Sequence, residues 1–390
     1  MSEGIPVSTA PFVIATLNLP RTLYAAGALT ALRGELETLG VHRPLLVSDK
    51  GLAGAGIVSR AVSACGEGSV PVVFADVTEN PLFADVDRGA ALYRERSCDG
   101  VIALGGGSVI DTAKVIALLA TNAGSAASYV GVPGVPHVAS APLIVIPTTA
   151  GTGSEASPSA GIHPDAATSS VGMNSPHLIP RVAILDPELT RSPPPRLTAT
   201  TGIDALSHCI EGFLSKKTIP LGKAIALHGI ALVTRHLRRA VADRDDVEAR
   251  GEMMMAAYAG GVSIAMGLGP AHAIALSCSD QGFHHGVLSG IGLVATIDAT
   301  AARVPEKAAS IGDAMGLSSS ASIEDALARL MRELGLPATL GELGYRVEDP
   351  AIATTRLGDS SHRSHFNASA PFHPSAAEYA AMISGSLGGC

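Results

Sequence analysis

The sequence predicts an α/β N-terminal domain with a parallel sheet, joined to an all-α C-terminal domain. Short apolar runs alternate with amphipathic stretches through the first half, three consecutive prolines in SPPPR (192–196) break the chain, and Ala-, Leu-, Ile- and Met-rich stretches with helical spacing fill the rest. Apolar runs separated by amphipathic stretches are the pattern of βα units, whose parallel strands are buried on both faces.

From about Leu29 the elements follow in order: helix-like ALTALRGELETLG, the run PLLVSD, a second helix-like stretch, PVVFADV, a third helix-like stretch through Arg96, then DGVIALGGGS. APLIVIPTT is expected to close this series, and 163–187 reads as a Pro-, Ser- and Ala-rich connection holding one strand-like segment, RVAILD. Three prolines in a row fit neither a helix interior nor a central strand. The boundary is therefore expected there, giving domains 1–195 and 196–390. Beyond it, TGIDALSHCIEGFLS, GKAIALHGIALVTRHLRRAVA, EARGEMMMAAYAGGVSIAMG and ASIEDALARLMRELG repeat apolar residues at helical spacing.

With 47% hydrophobic and 16% charged residues over 390 positions, the chain can bury a large core. A net charge of −8 gives no broad attraction for nucleic acid or anionic lipid. The small basic cluster Arg235, Arg238 and Arg239 ends a helix-like stretch, where cations are favoured anyway, and reads as a solvated face. Cys65, Cys98, Cys209, Cys278 and Cys390 are scattered without C-x-x-C spacing, which argues against a disulfide framework or a thiolate zinc site and fits a reducing cytoplasm. The first residues carry no basic-then-apolar leader pattern, and no apolar run free of Gly and Pro is long enough to span a bilayer.

GGGSVIDTAK, Gly105 to Lys114, follows the strand-like VIAL and opens an apolar helix. Bare glycine backbone at a helix N-terminus can face a phosphate, although a tight turn has the same composition, and the pattern matches neither G-x-G-x-x-G nor a P-loop. PTTAGTGSE, Pro147 to Glu155, ends the last apolar run with Thr148, Thr149, Thr152 and Ser154, again where ligands collect beyond the carboxyl ends of parallel strands. Asp49 ends PLLVSD, where an acidic side chain meets an adenosine ribose and disfavours a 2′-phosphate; a turn or N-cap aspartate before KGLAGAG reads equally well. Together these features predict a dinucleotide, NAD in preference to NADP.

In TGIDALSHCIEGF, Asp204 and His208 lie four apart on a predicted helix and project from one face. His272 in GLGPAHAIA and His285 in FHHGV complete a potential set of one carboxylate and three imidazoles for a divalent cation, each of which could equally be a packed or surface residue.

GGGSVIDTAK, PTTAGTGSE, DPEL, TGIDALSHCIE and GLGPAHAIA…HHG, in this order, resemble the iron-containing (group III) alcohol dehydrogenase family from about Leu19 to beyond Asp298. The resemblance implies the dehydroquinate synthase-like fold, with a dinucleotide domain and a helical metal- and substrate-binding domain, usually in a homo-oligomer. By the same likeness Asp204, His208, His272 and His285 look like ligands of Fe²⁺ or Zn²⁺. Asp49, Asn80, Gly106, Gly107, Ser108, Asp111, Thr148, Thr149 and Thr152 fall on the cofactor side. The implied reaction is hydride transfer between NAD(H) and a small alcohol or aldehyde, with His272, His284 and His285 at the reacting centre.

Two departures bear on the substrate. Leu276 stands where members commonly carry a second histidine four residues after the one matched by His272, and His284 replaces a common proline, so His284 is a candidate stand-in. The usual Asn-Pro-Arg before the last helix is replaced by DSSHRSHFNASAPFHPSAAEY, whose His362, Arg363 and His365 could meet an anionic group such as the carboxylate or phosphonate of a semialdehyde or phosphonoaldehyde. The alternatives are enoate reduction of the maleylacetate reductase type and a lyase of the dehydroquinate synthase type.

Overall fold

The computed structural model describes residues 17–135, 137–318 and 321–388. The N-terminal stretch scanned for a leader (1–16) and Cys390 lie outside the described residues. Strands β1 (Arg21–Tyr24), β2 (Pro44–Val47), β3 (Val72–Phe74), β4 (Gly100–Gly105) and β5 (Leu143–Pro147) alternate with helices α1 (Leu32–Leu39), α2 (Lys50–Gly54), α3 (Ile57–Ala64), α4 (Phe83–Glu95) and α5 (Gly107–Leu119). A two-stranded antiparallel hairpin, β6 (Ser159–Ile162) and β7 (Val171–Asn174), precedes β8 (Val182–Leu185).

Six strands form one parallel sheet in the order β1-β8-β5-β4-β2-β3. Three details differ from the sequence expectation. APLIVIPTT does not close the series, because RVAILD is a further sheet strand beside it. RTLY, before Leu29, pairs outside RVAILD as the edge. Part of the Pro- and Ser-rich connection folds as the hairpin, because β-branched Val171 and the small residues around Gly161 suffice for a short ladder.

Both faces of the sheet are covered. On β4, Val101 and Ala103 pack with α4 and α5, while Ile102 and Leu104 pack with α1 and α3. The chain moves outward from β2 to β3, then returns to place β4 on the other side of β2, so strand order reverses between β2 and β4. Ligands collect outside the carboxyl ends of strands at such a reversal.

From Pro195 onward the described elements are helical: α6 (Pro195–Leu214), α7 (Pro220–Ala242), α8 (Val247–Ile264), α9 (Pro270–Ser277), α10 (His285–Ala301), α11 (Pro305–Met315), α12 (Ile323–Glu333), α13 (Leu340–Leu343), α14 (Pro350–His362) and α15 (Ala376–Leu387), with short 3-10 turns between some of them. Helix α6 is buried on nearly all sides among α7, α8 and α10. The two halves meet where Ala183 and Leu185 of β8 pack on Met254, Tyr258 and Val262 of α8. Cys65, Cys98, Cys209 and Cys278 are buried free thiols. Arg238 pairs with Glu333, and Arg239 with Asp246 and Glu248, all on an exposed face. No described helix is long and apolar enough to cross a membrane.

Candidate active site

The glycine-rich turn and the threonine-rich turn lie side by side at the carboxyl edge of the sheet, since β4 and β5 pair in register up to Gly105 opposite Pro147. Gly106 is the N-cap of α5 and brings no side-chain cap, so the first N–H groups of that helix are left for a ligand. A Cβ on Gly107 would lie 2.6 Å from Thr152 Cγ2, so the two turns approach to a distance that only glycine allows. Gly107→Ala is expected to weaken NADH binding roughly tenfold, in line with the ~1–3 kcal/mol cost of overpacking; titration of NADH fluorescence checks it.

Beneath these turns sits a buried charged cluster. The Lys114 ammonium donates to Ser157 O at 2.9 Å, Ser157 Oγ at 3.1 Å and Ser159 O at 2.7 Å, tying α5 to the segment after PTTAGTGSE. Burial pushes Lys114 down to about 8 and Glu155 up to about 7. Asp111 Oδ2 accepts from Gly161 N–H at 2.8 Å, and its buried Oδ1 has no partner among the described residues. Asp111 is thus committed in part to holding the hairpin.

The remaining cofactor-side residues have these positions. Asp49 is the N-cap of α2, with Oδ1 accepting from Leu52 N–H at 2.9 Å, at the carboxyl end of β2. The N-cap reading of Asp49 holds, and the same residue borders the strand-order reversal. Asn80 is exposed next to Glu79, whose carbonyl accepts from the Ser108 hydroxyl. Thr148 is buried, and a Cβ on Gly106 would lie 3.3 Å from Thr149 Oγ1.

The threonine-rich turn reaches the helical half directly. Gly151 packs on Thr201 of α6, and Gly153, at φ +65°, meets the backbone of Gly261 on α8. Thr201 is one turn before Asp204, so the threonine-rich turn packs on the stretch of α6 that carries Asp204 and His208.

Asp204 and His208 are buried on one face of α6, as their spacing requires. His272 is presented by the first turn of α9 and His285 by the first residue of α10. The Nε2 atoms of His208, His285 and His272 stand 3.8, 3.9 and 4.0 Å from Asp204 Oδ1. Ligand atoms of Asp204, His272 and His285 lie within 4.8 Å of one another, and the His208 ring stacks on His272 at 4.8 Å between centroids. A cation about 2.1 Å from each donor of a tetrahedral set separates neighbouring donors by about 3.4 Å; the 3.8 to 4.0 Å separations from Asp204 Oδ1 are near that span, while the mutual approach within 4.8 Å comprises Asp204, His272 and His285 and not His208.

The protonation states suit the same purpose. Burial alone would raise the Asp204 carboxyl, but the surrounding imidazoles of His208, His285 and His272 and the Ser289 hydroxyl hold it at about 2. Burial pushes His208 down to about 4, leaving it neutral. His272 Nε2 is buried without a partner, whereas its Nδ1 donates to Glu211 Oε2 at 2.6 Å. Burial lowers His285 as well, whereas against burial Glu211 and Asp204 raise His272; an ionised carboxylate with imidazole nitrogens around it is the donor set of a divalent N/O site, whose binding requires deprotonated imidazoles.

Two contributors escaped the sequence reading. Glu211 stands seven residues after Asp204 on α6 and is buried; its signal was an ionisable residue within the otherwise apolar CIEGFL. Phe366 sets its ring 5.7 Å from that of His272 and walls the cage from the C-terminal side.

The candidate substrate residues separate. His365 sets its ring 4.1 Å from that of Phe366, tilted against it, and so lies on the side of the cage that Phe366 borders. His362 does not join it: its Nδ1 donates to Pro374 O at 2.9 Å and its ring stacks on His373, because it ends α14 whereas His365 opens the next turn. Arg363 is exposed at the C-cap of α14. His284 caps α10, its Nδ1 accepting from Gly286 N–H at 3.1 Å, which leaves Nε2 free. Leu276 lies one turn from His272 on α9, partly exposed.

Comparison with known proteins agrees with this geometry. The chain is 39% identical over 377 residues to 4-hydroxybutyrate dehydrogenase of Cupriavidus necator, covering 93% of this chain and 96% of that protein. Its fold superposes on a 1,3-propanediol oxidoreductase with TM-score 0.88 at 29% identity, covering 95% and 100% of the two chains. It superposes on sulfoacetaldehyde reductase of Bifidobacterium kashiwanohense in complex with NAD⁺ with TM-score 0.86 at 31% identity, covering 97% and 100%. Residues 20–187 match the iron-containing alcohol dehydrogenase family and residues 198–370 its C-terminal domain. With an α/β unit whose glycine-rich and threonine-rich turns lie side by side and a helical unit that gathers a carboxylate–imidazole cage from three helices, the chain belongs to the iron-containing alcohol dehydrogenase family of oxidoreductases.

Proposed function

We propose that this alcohol dehydrogenase interconverts a small alcohol and its aldehyde with NAD(H), and that its substrate carries an anionic group. The observation that carries the first part is the convergence of Asp204, His208, His272 and His285 on one cage, adjoining the turns at the carboxyl ends of β4 and β5. A divalent ion bound there, Fe²⁺ or Zn²⁺, supplies Lewis acidity at the substrate oxygen.

The chain's own residues do the rest. The open N-terminus of α5 at Gly106, Gly107 and Ser108 receives the cofactor pyrophosphate, and the Asp49 carboxylate stands at the end of β2 where a ribose hydroxyl belongs. Phe366 keeps water from the His272 side of the substrate. His284 Nε2, beside half-exposed His285, is available to pass a proton between the cage and solvent. Domains 1–195 and 196–390 thus divide the labour into cofactor binding and metal and substrate binding, in a homo-oligomer suited to the cytoplasm.

Support for an anionic substrate comes from His365 beside the cage, with Arg363 two residues away. The 4-hydroxybutyrate and sulfoacetaldehyde named for two relatives both bear an acid group. NADH oxidation against an aldehyde panel tests the reading: 4-oxobutanoate or sulfoacetaldehyde should exceed propanal in kcat/KM. His365→Ala should raise KM for the anionic aldehydes about tenfold, the cost of one charge-assisted hydrogen bond, and leave propanal unchanged. Equal losses on propanal would overturn the anion contact.

A further inference from the structure

We infer that Glu211 is a positioning residue that sets the tautomer and direction of His272 and thereby the metal affinity of the cage; this rests on the metal reading above. Helix α6 presents Asp204, His208 and Glu211 at positions i, i+4 and i+7, so ligands and supporting carboxylate share one buried face. Glu211 then reaches across to α9. Its Oε1 accepts from Ala271 N–H at 2.7 Å, and its Oε2 accepts from His272 Nδ1 at 2.6 Å and from His272 N–H at 3.4 Å.

One carboxylate thus caps the N-terminus of α9, which has no side-chain cap of its own, and holds the imidazole that projects from that turn. A carboxylate only accepts, so the proton of the neutral His272 ring must sit on Nδ1. Nε2, buried and without a partner, then turns its lone pair toward Asp204 Oδ1. Turning the ring over would replace the Nδ1–H donor facing Glu211 Oε2 with a carbon, and moving the proton to Nε2 would set a nitrogen lone pair against that oxygen.

Glutamine keeps the size of Glu211 but offers one acceptor where two are used. If its carbonyl takes Ala271 N–H, its amide group confronts His272 Nδ1 and favours the tautomer with the proton on Nε2, which cannot bind a cation. If the carbonyl takes His272 Nδ1–H, the cap of α9 is lost. Either choice disturbs the ligand. An aspartate keeps both acceptors at shorter reach.

The test is competition for Zn²⁺ against a chromophoric chelator, using wild type, Glu211→Gln and Glu211→Asp, with the melting temperature of each metal-free protein and its NADH affinity measured in parallel. Glu211→Gln should lose roughly 10- to 100-fold in Zn²⁺ affinity, as removal of outer hydrogen-bond partners does, while NADH affinity stays near wild type and metal-free melting falls by no more than the few degrees that a lost helix cap accounts for. Glu211→Asp should fall between. Unchanged Zn²⁺ affinity in Glu211→Gln would overturn the inference, and so would a loss accounted for by a lower metal-free melting temperature with no rescue by aspartate. A wild-type protein that binds no Zn²⁺ or Fe²⁺ would instead remove the metal reading itself.

Discussion

His272→Ala and Asp204→Ala should each lose about 10³-fold or more in aldehyde-dependent NADH oxidation, because a bound cation contributes several kcal/mol at the reacting oxygen and each 1.36 kcal/mol is tenfold in rate. The loss should track metal. Elemental analysis after purification in Fe²⁺ or Zn²⁺ should find the variants empty, while NADH affinity stays within about twofold of wild type, since the side chains of Asp204 and His272 are engaged with Ser289, Glu211 and each other. Wild type stripped with a chelator should lose the same activity and regain it on adding either ion. A His272→Ala variant that keeps full turnover would refute the role assigned to the cage.

The largest effect on stability is expected at Gly153. Its φ of +65° disfavours any other residue, and a Cβ there would stand 2.2 Å from Gly261 N and 2.4 Å from Gly261 Cα, which are backbone atoms that cannot rotate away. Overpacking of ~1–3 kcal/mol adds to ~1–2 kcal/mol for the left-handed backbone, so Gly153→Ala should cost about 3 kcal/mol or more. The urea midpoint measures it. Gly172→Ala, where a Cβ would meet nothing within 4 Å, is the control and should cost little by comparison. Equal midpoints for the two variants would contradict the tight contact between halves.

How far the residues foretell this structure depends on what each element buries. VIAL and LIVI are legible because both faces of the central strands are covered, so every side chain is apolar. RTLY is not, because it is an edge strand with largely exposed residues and no apolar run. On α6, Asp204 and His208 are legible as a pair since a helix fixes their spacing, but nothing in the linear spacing brings His272 and His285 to them. Those two enter from α9 and α10; residue type makes them candidates, and only the family resemblance singles them out among the histidines.

The C-terminal histidines teach the same lesson in reverse. His362 and His365 are near neighbours in sequence, but one closes a helix and the other opens a turn, and their rings end on different partners. Glu211 was within the motif and yet unassigned, because its role depends on a main chain 60 residues later, at Ala271 and His272.

The contact of Gly153 with Gly261 also bears on recombination between relatives. It joins the sheet half to the helical half through main chain on main chain, so compatibility at this point is carried by two residues that have no side chain. A chimera that grafts the helical half of another family member onto this sheet half can dock here only if its donor brings a glycine to the position of Gly261. Such grafts should divide into soluble and insoluble products along that single residue, whatever the overall identity of the parents.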